Sequence, residues 1–82
     1  MQLQVDGNNN KFFRFKNVRV SVKHAKEQGK DWDSTGRYLQ ILAYRDATST
    51  TTFPGPQIPI EDKDLSDEEI LVQVYRTLKS AT

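Results

Sequence analysis

Apolar positions along the chain change spacing several times, and each change marks a structural element. Gln2 to Val5 alternates weakly and runs into Asp6-Gly7-Asn8-Asn9-Asn10. Glycine and asparagine tolerate the positive φ of tight turns, so this stretch predicts a first hairpin. From Lys11 to His24 the residues are aromatic or β-branched with basic neighbours, a composition that favours a half-buried strand. Phe13 and Phe15 have one parity, whereas Val18, Val20 and Val22 have the other. A continuous apolar face therefore needs an interruption at Lys16-Asn17. A β-bulge is the reading adopted, with a sharp hairpin turn at Asn17 as its alternative. With the bulge, Arg14, Arg19, Ser21 and Lys23 share the face away from the valines.

Ala25 to Gly36 has no apolar period and reads as an exposed loop carrying Trp32. Arg37 to Arg45 then reads as a second long strand, apolar on both sides. Leu39, Ile41 and Ala43 lie on one face; Tyr38, Gln40, Leu42 and Tyr44 lie on the other. A strand of this kind is commonly covered on both faces, so it calls for something besides a single helix. Thr48 to Phe53 is β-branched and predicts a third main strand, followed by a type II turn at Phe53-Pro54-Gly55-Pro56. Gln57 to Ile60 is extended, with Pro59 confining it to an edge or tether.

The spacing near the C-terminus predicts a helix. Ser66 caps it, Glu69 completes a capping box, and Leu65 staples against Ile70. Asp67, Glu68 and Glu69 suit the positive end of its dipole, and Arg76 and Lys79 the negative end. At 100° per residue, Ile70, Leu71, Val74, Tyr75 and Leu78 span an arc of about 140°, enough to close over a sheet face. Val72 lies outside this stripe and favours a second covered surface.

These elements predict one α+β domain over residues 1–82: an antiparallel sheet of three to five strands with one C-terminal helix packed on one face. A curled barrel capped by the helix and a sheet extended across a dimer are the alternatives. The length of 82 residues supports one domain and makes a large enclosed active site improbable. Without cysteine there is no disulfide framework, thiol nucleophile or cysteine-based zinc site. Apolar runs are too short for a membrane helix and the N-terminus opens no signal-peptide pattern, so a cytoplasmic protein is expected.

The net charge of +1 conceals an uneven distribution. Residues 1–45 hold nine basic and four acidic groups; residues 46–82 hold three basic and seven acidic ones. Such halves can attract an anionic partner, or each other within one fold or between two copies.

Enzymatic chemistry finds little support in the motifs. Asp31-Trp32-Asp33-Ser34-Thr35-Gly36 matches the first half of a calcium loop, but its twelfth position falls on Leu42 where a bidentate Glu is needed. His24 is the sole histidine, and no carboxylate partner is identifiable from sequence. No nucleophile elbow, phosphate-binding glycine loop or paired-histidine motif occurs. No catalytic residue, metal site or cofactor is expected.

A basic and aromatic sheet face remains, comprising Arg14, Arg19, Lys23, Tyr38 and Tyr44, with Trp32 close in sequence. The leading expectation is a non-enzymatic protein-interaction or regulatory module that binds another protein or a second copy through the sheet face the helix leaves open. A small domain with a surplus apolar face commonly hides it in a symmetric dimer. The alternative is a single-stranded nucleic-acid-binding module using the same six residues, because cations follow phosphates while rings stack on bases. A small enzyme built on His24 with the Asp31/Asp33 loop is a third expectation.

Overall fold

A computed structural model describes residues 1–25 and 35–81. The strands are β1 (Gln4–Val5), β2 (Lys11–Phe15), β3 (Val18–His24), β4 (Arg37–Tyr44), β5 (Thr52–Phe53) and β6 (Gln57–Ile60); the helix is α1 (Asp67–Ser80). Among the described residues all strand pairs are antiparallel and form one six-stranded sheet in the order β1-β2-β3-β4, with β5 and β6 both pairing with β4. The α+β architecture with one C-terminal helix on an antiparallel sheet is therefore the one the sequence predicts. None of the described helices is long and apolar enough to cross a membrane.

The parity change at Lys16-Asn17 is a hairpin turn rather than a bulge. Phe15 pairs with Val18 and Phe13 with Val20, so the chain reverses through two residues and the apolar face continues unbroken. Lys16 carries the positive φ of 54° that this tight reversal needs, a position usually given to glycine. The first hairpin forms as expected: Asp6 Oδ1 accepts from the backbone N–H groups of Asn8 and Asn10, and Asn9 takes a φ of 63°.

The predicted strand from Thr48 to Phe53 shrinks to Thr52–Phe53. Its first part is drawn into local turns: Asp46 Oδ1 accepts from both the N–H and the hydroxyl of Thr48, and Ser49 Oγ accepts from the N–H of Thr51. Side chains that satisfy neighbouring backbone groups compete with a ladder in this way. The expected type II turn is also absent, since Gly55 does not have the required positive φ. Glycine is needed there for closeness instead, because a Cβ on Gly55 would lie 1.9 Å from the Ile41 carbonyl oxygen. Residues 54–56 are a detour in one interrupted edge, bridged to β4 by the Ile41 N–H donating to the Pro56 carbonyl.

Helix α1 has both halves of its capping box: Ser66 Oγ accepts from the Glu69 N–H, and Glu69 Oε1 accepts from the Ser66 N–H. Its buried side packs on β2 and β3. Phe13, Val20, Val22, Ile60, Ile70 and Leu71 form the buried core, with Leu65, Val74, Tyr75 and Leu78 packed against it. Tyr75 meets Phe13 and Phe15 edge-on, each at 5.7 Å between ring centroids.

Candidate functional site

Cross-strand partners share a face, so the ladder sorts every strand residue. The helix side receives Phe13, Phe15, Val18, Val20 and Val22, with Leu39, Ile41 and Ala43 of β4 and Ile58, Ile60 and Phe53 of the edge. The reverse side receives Phe12, Arg14, Arg19, Ser21, Lys23, Tyr38, Gln40, Leu42 and Tyr44. Arg14, Arg19, Lys23, Tyr38 and Tyr44 thus lie on one face, as alternation requires. Trp32 and the Asp31-to-Ser34 part of the calcium-like pattern lie outside the described residues.

The sequence-based expectation that the tyrosine rings emerge from this face is overturned. Tyr38 is 2% exposed and Tyr44 is 9% exposed. The Arg14 guanidinium lies 3.7 Å from the Tyr44 ring centroid and donates to the carbonyls of Lys16, Asp46, Ala47 and Ser49. It therefore clamps the turn after β4 onto the sheet. Arg19 stacks at 3.7 Å over Phe12 and reaches Asp6 at 3.6 Å. Gln40 accepts at Oε1 from Gln57 and donates from Nε2 toward the carbonyls of Gly55 and Pro56. Burial pushes the Tyr38 phenol above its usual pKa. Two cations expected to meet phosphates are thus engaged inside the molecule, and one ring face of Tyr44 is already covered by Arg14.

The open surface is on the helix side instead. A helix is about 10 Å wide and strands lie about 4.8 Å apart, so one helix blankets two or three strands. Helix α1 sits over β2 and β3, and the half of the same face built from β4, β5 and β6 is left beside it. Ile58 there is 44% exposed and Phe53 is 54% exposed, while Ala43 is exposed and Ile41 half-buried. Where this strip meets the helix, a groove of about 400 Å³ opens, walled by Leu39, Ile60, Leu65, Ile70, Val74 and Leu78, with Glu61 and Asp62 at one end. Leu39, Ile41 and Ala43 are therefore on the helix-facing side as expected, but only Leu39 packs against the core.

A polar cluster fastens the helix start to the sheet. Asp67, the first helical residue, accepts from Arg37 Nη1 at 2.7 Å and lies 2.9 Å from His24 Nε2. Arg37 also donates to the Asp62 carbonyl. Burial opposes ionisation of Asp67, but the hydrogen bonds from Arg37 and His24 outweigh it and hold its carboxyl below the ordinary aspartate value. The carboxylate partner of His24, which the sequence did not identify, is thus Asp67. Since the helix dipole accounts for an acid at this position, and its oxygens are taken by Arg37 and His24, the cluster reads as a clasp.

Among the described residues no group of three or more acidic or histidine side chains could hold a metal ion. Comparison of the chain with protein-family models, with curated proteins and with solved structures returned no match, so the functional reading rests on the geometry of the strip, the groove and the clasp.

Proposed function

We propose that this protein is a non-enzymatic interaction module that self-associates through the uncovered half of the helix-side sheet face. The observation that carries the reading is the offset of α1 over β2 and β3, which leaves Ile58 and Phe53 about half exposed beside Ile41 and Ala43. Burying such a strip gains roughly 25 cal/mol for each Å² of apolar surface removed from water. Two copies sharing the strip would cover both surfaces with a single interface, the usual arrangement of small symmetric oligomers. A regulatory role would follow if a further partner competed for the same strip.

The nucleic-acid alternative receives less support, because Tyr38 and Tyr44 are buried and Arg14 and Arg19 already stack on rings within the chain. The test is Ile58→Lys, which places a charge in the strip at a half-exposed edge position without emptying the core. Self-association followed by sedimentation should weaken by at least about tenfold, with an unchanged circular dichroism spectrum. Undiminished association of a folded Ile58→Lys variant would overturn the reading.

A further inference from the structure

The strip of apolar residues ends in opposite charges, and that polarity gives the interface a direction. At one end, Glu61 follows Ile60 and lines the groove with Asp62, while Asp67 beyond it is already paired with Arg37 and His24. At the other end, Arg45 follows β4 directly, in step with Leu39, Ile41 and Ala43, and its backbone N–H still donates to Thr51. Arg45 is exposed, as is Glu61. Arg37 pairs with Ile60 across the sheet, which sets Glu61 level with residue 36, about nine strand residues or about 30 Å from Arg45. Gln40 and Ile41 lie at the middle.

From this polarity we infer that the strips of two copies pack antiparallel about a two-fold axis near Ile41, with Arg45 of each copy facing Glu61 of the other. The inference rests on the self-association proposed above and adds its orientation. A parallel stacking would set Arg45 against Arg45 and Glu61 against Glu61, which like-charge repulsion disfavours; the antiparallel one makes two opposite-charge pairs at the rim. Such rim pairs contribute more to register and partner choice than to affinity, and salt screens them.

Charge exchange tests the orientation separately from association itself. Arg45→Glu alone and Glu61→Arg alone should each weaken the homodimer by roughly tenfold, because each replaces two attractive pairs with two repulsive ones. An equimolar mixture of the two variants should form a heterodimer in which both pairs are attractive again, and the double variant should dimerise like the wild type. If the wild type dimerises but the single variants associate equally well, or their mixture fails to pair, the antiparallel arrangement is wrong while self-association stands. A wild type that stays monomeric at high micromolar concentration overturns both.

Discussion

Gly55 lies where backbone meets backbone: its Cα carries no side chain because the Ile41 carbonyl occupies the space a Cβ would need. Relief requires moving main chain, since the obstructing atom is not the end of a flexible side chain. Gly55→Ala should therefore destabilise the protein by about 1–3 kcal/mol in urea unfolding, and a variant as stable as the wild type would show that the edge detour can shift freely. Glycine between two prolines reads from sequence as a type II turn, because φ preferences are local while the approach of Ile41 is not. Lys16 is a similar case. A bulge and a two-residue turn both put Phe15 and Val18 on one face, and neither Lys16 nor Asn17 is the glycine that normally marks positive φ. The apolar parity at this point is legible; whether the chain reverses there is not. Tyr38 and Tyr44 follow the same logic, since alternation assigns their face correctly but does not reveal that Arg14 folds a distant turn over Tyr44.

Among the elements, α1 is the one whose signals are all local, and its cap, its acidic first turn and its buried stripe match the sequence reading. What the stripe does not specify is which strands it covers. That depends on the clasp of Asp67 with His24 and Arg37, which joins the end of β3, the start of β4 and the first turn of the helix. Because the Asp67 carboxyl titrates lower in the folded chain than in the unfolded one, its ionised form stabilises the fold. That contribution is fully present above the unfolded aspartate value of about 4 and is lost as pH falls through the lower folded value. Stability measured from pH 6 down to pH 2 should therefore decline across that acid range, and the decline should be shallower in Asp67→Asn. Equal acid slopes for the two proteins would remove Asp67 from the account. The interrupted edge formed by β5 and β6 carries Pro54, Pro56 and Pro59, which withhold N–H donors from any further strand. The proposed association is therefore expected through the face of the sheet and not through that edge.

For the whole molecule, the number of strands against the width of one helix decides where surplus apolar surface appears. The sequence shows β4 apolar on both sides and a single amphipathic helix, which is enough to expect an uncovered surface. It assigns that surface to the wrong side because Leu39, Ile41 and Ala43 share a face with the helix-covered valines of β3. Sharing a face is not the same as sharing its cover: the helix reaches Leu39 and stops short of Ile41, Ala43 and Ile58. The reverse side, by contrast, is largely closed by the chain's own arginines, glutamines and turns. A dilution series of methyl-labelled protein observed by NMR examines both the association and its location. Methyl resonances of Leu39, Ile41, Ala43 and Ile58 should shift with concentration while those of Leu42, on the reverse side of β4, stay in place. Spectra indifferent to concentration up to high micromolar, or shifts centred on Leu42, would contradict an interface on the open half of the helix side.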